Sequence, residues 1–166
     1  MDEHHIQVPR TARYVTLGSA AGATDVWLVC HGYGQLAQFF ARHFESLERP
    51  SRLIIAPEAL NRFYIENPGG DHRDARVGAT WMTRDDRLAE IEDYVRYLNA
   101  VLAEAVPASD LARARVTALG FSQGVATVCR WAARGVPQLR RIVLWGEKLP
   151  PDLDLPAAAP VLTGLE

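Results

Sequence analysis

Four continuous apolar runs constrain this chain more than any other feature: Val26-Trp27-Leu28-Val29-Cys30, Leu53-Ile54-Ile55-Ala56, Val116-Thr117-Ala118-Leu119 and Ile142-Val143-Leu144-Trp145. A strand that is apolar at successive positions has both faces covered, which is the situation in a parallel sheet flanked by helices. Helical stripes fill the intervals. Leu36, Phe40, Phe44 and Leu47 recur at helix spacing, as do Leu88, Ile91, Val95, Leu98 and Leu102, and then Val125, Val128, Cys129 and Ala132. Glu90, Asp93 and Arg96 fall off the longest stripe, on a face suited to water. Asp85 and Asp86 are expected to open that helix, where the positive end of the helix dipole favours carboxylates. Pro107 lies beyond its end, and Gly135 and Pro137 stop the last stripe. This alternation predicts a three-layer α/β/α sandwich with a mostly parallel sheet.

Other segments read differently. Ile6-Gln7-Val8 and Tyr14-Val15-Thr16-Leu17 are expected to be two short early strands. From Pro57 to Asp86 there is little periodicity, and Asn67-Pro68-Gly69-Gly70-Asp71 interrupts the stretch. It is too long for a simple connector, which points to a functional or flexible loop. Pro150-Pro151 to Pro160 reads as a Pro- and Ala-rich loop.

A chain of 166 residues suits one domain with a single core. Its net charge of −2, with both signs interleaved, gives no footprint for nucleic acid. Cys30 and Cys129 are in no metal-ligand spacing and make no disulfide framework, so two buried thiols are expected and no metal. The N-terminal Met1-Asp2-Glu3-His4-His5 is polar, unlike a secretory signal, and no apolar run approaches the ~20 residues of a membrane span. A cytoplasmic location is the resulting expectation.

The motif that carries chemistry is Gly120-Phe121-Ser122-Gln123-Gly124, between a strand-like run and a helical stripe. A serine nucleophile must stand out from the sheet at a sharp strand-to-helix turn, where side chains two residues away would clash. Glycines on both sides remove that clash. The helix that follows aims unpaired N–H groups at a developing oxyanion. Cys30-His31-Gly32-Tyr33-Gly34, directly after the first apolar run, can turn a second N–H back toward the serine. The N–H groups of Tyr33 and Gln123 would then form the oxyanion hole. His31 reads as an imidazole that fixes this turn rather than as a general base. Tyr33, Phe63, Tyr64 and Trp81 are candidates either for the walls of an acyl or alcohol pocket or for ordinary packing.

These residues resemble the phospholipase/carboxylesterase group of α/β-hydrolases, which includes acyl-protein thioesterase-like enzymes. The resemblance rests on Leu28-Val29-Cys30-His31-Gly32-Tyr33-Gly34, Ile55-Ala56-Pro57-Glu58-Ala59, Gly78-Ala79-Thr80-Trp81-Met82 and Gly120-Phe121-Ser122-Gln123-Gly124, in that order. Met82 stands where the group has Phe. The resemblance implies a serine hydrolase acting on a small carboxylic ester or thioester through an acyl-enzyme at Ser122, with no cofactor. It also implies a triad in the order Ser, Asp, His.

The chain departs from that order. Its five histidines are His4, His5, His31, His43 and His72, all upstream of Ser122. Three readings stay open. In the first, residues 1–166 are a partial domain whose C-terminal strands, with the triad Asp and His, are missing. In the second, the chain is a catalytically inactive homologue that binds ligands. The third is a rewired site, with Glu147 as the acid after the last strand and His72 swinging in from the long loop. Glu147 also reads as an ordinary solvated carboxylate. A shortened sheet would leave Ile142–Trp145 as an exposed apolar edge, with self-association expected through it. A dienelactone hydrolase or a peptidase on the same fold is a further alternative; the cysteine nucleophile that would mark the former is absent.

Overall fold

The computed structural model describes residues 1–65 and 73–166. Two sheets organise the described residues. The larger is built from β1 (Tyr14–Leu17), β2 (Asp25–Cys30), β3 (Arg52–Pro57), β6 (Arg115–Phe121) and β7 (Leu139–Trp145), in the spatial order β1-β3-β2-β6-β7. β1 runs antiparallel to β3, and every other neighbour pair is parallel. The smaller is an antiparallel ribbon of β4 (Asn61–Tyr64) and β5 (Val77–Thr80).

Three of the four apolar runs become the central strands β2, β3 and β6, because each contributes side chains to both faces, and the fourth becomes the edge strand β7. Leu28, Leu53, Ile55, Val116 and Ala118 point into the larger core. The alternate positions Val29, Ile54, Ala56 and Leu119 point into the smaller one. On the first side pack α2 (Arg87–Ala105) and α4 (Gln123–Ala132), through Ile91, Tyr94, Leu98, Leu102, Val128 and Trp131. On the other side α1 (Ala37–Ala41) runs into a 3-10 turn over Arg42–Leu47, burying Phe40 and Phe44. The short α3 (Ala108–Leu111) leads into β6, and α5 (Leu155–Leu162) follows β7. The sandwich read from the alternation is therefore present, with helices on both faces of a mostly parallel sheet.

At the N-terminal ends of the strands the chain buries a charge. Arg52 is 5% exposed. Its Nε donates to Asp25 Oδ2 at 2.8 Å, its Nη1 donates to Leu47 O at 3.0 Å, and its guanidinium lies 4.6 Å from the Trp27 ring centroid. A buried cation needs such partners to be tolerated.

Several expectations are corrected. Ile6–Val8 forms no strand: Ile6 and Val8 are exposed, and the segment extends past α2 without a partner strand. The Pro- and Ala-rich tail is not all loop. Asp154 caps α5 by accepting from the Ala157 N–H at 3.0 Å, and Pro156 occupies the first turn, where a missing N–H costs nothing. The stretch after Pro57 is not structureless, since its two ends pair as β4 and β5. Leu88 belongs to the predicted stripe but is exposed, because it stands in the first turn of α2 before the helix reaches the core. Leu47 is likewise exposed, at the end of the 3-10 turn. Asn67–Asp71 and His72 lie outside the described residues.

β7 is an edge of the larger sheet, with Leu144 and Trp145 exposed. Its outer side is not bare throughout. Glu166 N–H donates to Arg140 O and Ile142 N–H donates to Glu166 O, both at 2.9 Å.

Candidate active site

Ser122 is the single residue between β6 and α4. Its backbone has φ 50° and ψ −118°, a conformation that side chains other than glycine rarely adopt. The flanking glycines explain how the turn closes. A Cβ on Gly120 would stand 2.3 Å from Gly124 O, and one on Gly124 would stand 2.2 Å from Cys30 O. No side chain fits at either place. Ser122 N–H donates to Trp145 O at 2.8 Å, which ties the elbow to the end of β7.

The turn after β2 lies against the serine. A Cβ on Gly32 would come within 3.2 Å of Ser122 Cβ, so the absence of a side chain there lets the two backbones approach. Gln35 closes the turn: its Oε1 accepts from Gly32 N–H at 2.7 Å, and its own N–H donates to Gly32 O at 3.2 Å. β5 holds the turn from outside. Gly34 N–H donates to Ala79 O at 2.8 Å, and Ala79 N–H donates to Gln35 O at 3.2 Å. Among the described residues, neither the N–H of Tyr33 nor that of Gln123 is taken by another group.

His31 is fully buried. Ala59 N–H donates to its Nε2 at 3.1 Å, so Nε2 is the acceptor and Nδ1 carries the proton donated to Gly32 O at 2.8 Å. Burial lowers its pKa, against the opposing pull of the Gly32 bond and Glu58. The imidazole is neutral and has both nitrogens occupied, so it holds the turn and has no free lone pair for a proton from serine.

The other candidates are placed as follows. Tyr33 and Phe63 lie with ring centroids 5.0 Å apart and planes tilted by 33°, Tyr33 at 63% exposed. Tyr64, next along β4, is also exposed. The Tyr33 and Phe63 rings form an aromatic rim beside the Gly32 turn, whereas Tyr64 alternates to the other face of β4. Trp81 is a core residue, 1% exposed, with its indole N–H donating to His31 O at 2.8 Å and its ring 5.2 Å from the His31 ring. It braces the turn from behind and is not an open pocket wall. Glu147 is exposed after β7 and accepts from Lys148 N–H at 2.9 Å. The described residues bring no carboxylate or imidazole into hydrogen-bonding distance of Ser122 Oγ, and the sequence places no histidine after Ser122. They hold no group of three or more potential metal ligands, and no helix long and apolar enough to cross a membrane.

Two features were not read from the sequence. The Gln123 side chain, considered only for its backbone N–H, clamps the segment Thr80–Met82. Arg130, a charged residue on α4, is buried and forms a two-pronged pair with Asp152 at 2.6 and 3.1 Å. Its basic type within an otherwise apolar helix was the available signal for the second, whereas nothing in the residue types announced the first.

No protein-family model matches the sequence, and no curated protein matches it. Solved structures do. Maize acyl-protein thioesterase 2 superposes with a TM-score of 0.65 at 19% identity, over 93% of this chain and 73% of that one. The Bacillus cereus carboxylesterase gives 0.60 at 16%, over 86% of this chain and 63% of its own. A phospholipase/carboxylesterase from Dyadobacter fermentans gives 0.58 at 17%, over 91% and 68%. Strand order, the strained serine between strand and helix, and these superpositions agree that the chain has the α/β-hydrolase fold.

Proposed function

We propose that the chain is a serine hydrolase of carboxylic esters or thioesters, of the phospholipase/carboxylesterase kind, working through an acyl-enzyme at Ser122. The observation that carries this reading is the juxtaposition of a strained serine with two backbone N–H groups that no described residue occupies. Hydrogen bonds preorganised for the charge that develops on the carbonyl oxygen are a major source of rate enhancement in acyl transfer. Ser122 Oγ attacks the acyl carbon and loses its proton to a base that the described residues do not supply, and that base returns the proton to the leaving group. The oxygen that becomes negative sits between the N–H groups of Tyr33 and Gln123. Collapse of that tetrahedral species breaks the bond to the alkoxide or thiolate, which leaves as the alcohol or thiol. Water then hydrolyses the acyl-serine and restores the hydroxyl. The Tyr33 and Phe63 rings suit an apolar part of the substrate.

A second reading has its own support. A serine hydroxyl without a base is a weak nucleophile at neutral pH, and Ser122 Oγ has no base among the described residues. A chain of that kind would bind esters without turning them over. Fluorophosphonate labelling separates the two. The expected result is covalent labelling of the folded chain that disappears in Ser122→Ala. A folded sample that takes no label, or equal labelling of Ser122→Ala, contradicts the hydrolase reading.

A further inference from the structure

We propose that the side-chain amide of Gln123 is a positioning residue that sets the separation of the two oxyanion donors; this deepens, and rests on, the reading of Ser122 as a nucleophile. The two donors come from distant parts of the chain, Tyr33 after β2 and Gln123 at the start of α4. Close backbone approach brings them near each other, Gly124 against Cys30 O and His31 O and Gly32 against Ser122; a second tie is needed to hold the turn that carries Tyr33 from its other side. The link runs through β5. At one end, Ala79 exchanges backbone hydrogen bonds with Gly34 and Gln35, which flank Tyr33 on its C-terminal side. At the other end, the Gln123 amide closes on the three residues that terminate the strand.

That closure satisfies every part of the amide. Oε1 accepts from Trp81 N–H at 3.0 Å. Nε2 donates to Met82 O and to Thr80 Oγ1, each at 2.8 Å. The Thr80 hydroxyl, itself buried, passes its proton on to Met82 O at 2.9 Å. Trp81 N–H takes an acceptor and Met82 O a donor, and an amide in this orientation serves both at neutral pH, where a carboxylate supplies only acceptors. Trp81 then reaches His31 O through its indole N–H, a second tie between the same segment and the turn after β2. Gln123 therefore holds the first turn of α4 in register with the strand that holds Tyr33. A shift of one donor by a fraction of an ångström weakens a bond that matters only when the oxyanion forms.

The test uses the full chain and the rate of fluorophosphonate labelling at Ser122. Gln123→Met keeps the length and removes the polar contacts; it is expected to slow labelling about 10- to 100-fold, less than loss of a whole donor, while the folded state persists. Gln123→Glu adds a signature that a packing role lacks. Its ionised carboxyl faces Met82 O without a proton to donate, whereas the protonated acid restores that bond. Its labelling rate relative to wild type at the same pH should rise as the carboxyl protonates. The ionisable groups that face the clamped segment are Arg130, whose Nη1 lies 3.4 Å from Met82 Sδ and which is paired with Asp152, Glu90, whose Oε2 accepts from Thr83 N–H at 2.5 Å, and His31 behind Trp81. All of them are present in wild type as well, so the ratio of the two rates at one pH reports position 123. Should Gln123→Met not fold, Thr80→Val removes the shared hydroxyl and carries the same expectation. Labelling of these variants within ~2-fold of wild type, with no pH-dependent recovery in Gln123→Glu, overturns the proposal. If the wild type itself takes no label, the nucleophile reading fails on its own account, and amide NMR decides the positioning claim. A Tyr33 amide resonance that shifts in Gln123→Met supports it, and one that stays in place refutes it.

Discussion

Gly124→Ala is expected to destabilise the chain by about 3 kcal/mol or more and to abolish any reactivity at Ser122. The new Cβ would meet three backbone atoms: Cys30 O at 2.2 Å, Cys30 C at 2.8 Å and His31 O at 2.9 Å. None is the far end of a flexible side chain. Relief requires α4 to move away from the end of β2, which separates the elbow from the turn that carries Tyr33. β2 is a central strand, hydrogen-bonded to β3 on one side and to β6 on the other, so it cannot yield alone. Gly22→Ala is the control. Its Cβ would meet nothing within 4 Å, and only the φ of +72° opposes it. A cost of about 1 kcal/mol is expected there. Urea denaturation followed by far-UV circular dichroism measures both. Equal stability of the two variants would show that the elbow is not closed by contact between α4 and β2.

The second large effect lies at Arg130 and Asp152. Arg130 is 7% exposed, and Asp152 meets it with both carboxylate oxygens while Arg87 adds a contact at 3.0 Å. Tyr94 Oη lies 3.3 Å from Arg130 Nη1. The hydrogen bonds from Arg130 hold the Asp152 carboxyl down at about 2, against an ordinary value of 3.8. The folded state therefore prefers the ionised form. The stability from this preference is complete above the ordinary carboxylate pKa and is lost as pH falls from about 4 through about 2. Asp152 is itself exposed, so solvent screening reduces the size to about 1 kcal/mol. Asp152→Asn is expected to lower stability at pH 7 by about 2 kcal/mol, because it also leaves a buried guanidinium without its counterion. The gap between wild type and variant should narrow between pH 4 and pH 2. A gap that stays constant across that range would mean that the pair contributes nothing through its charge.

The sequence disclosed most where one backbone requirement admits one residue type. The elbow is such a place, since glycine is required at 120 and 124 by contacts with the main chain itself. The central strands were equally plain, because burial on both faces leaves an unbroken apolar run in β2 and β3. Elements that depend on a distant partner were hidden. Val77-Gly78-Ala79-Thr80 has no alternation to mark it as β5; it is a strand because β4 pairs with it. Gly78 is small for a reason outside its own strand: a Cβ there would stand 2.6 Å from Gly34 O. Ile6 and Val8 show the reverse case, an alternating pattern with no sheet edge beside it. α5 was masked by its prolines, one of which sits in the first turn where proline is tolerated. At the site, the two tight turns were legible and the side-chain contacts that brace them were not. The pattern that places Gln123 after the serine says nothing of Thr80 or Met82, more than 40 positions away.

The central claim is that Ser122 is a nucleophile served by the N–H groups of Tyr33 and Gln123. The most direct measurement is a crystal structure of the chain after reaction with a fluorophosphonate. The expected result is phosphorus bonded to Ser122 Oγ, with one phosphonyl oxygen at about 2.7–3.1 Å from both nitrogens. Phosphorus on another residue, or a phosphonyl oxygen turned away from Tyr33 and Gln123, would contradict it.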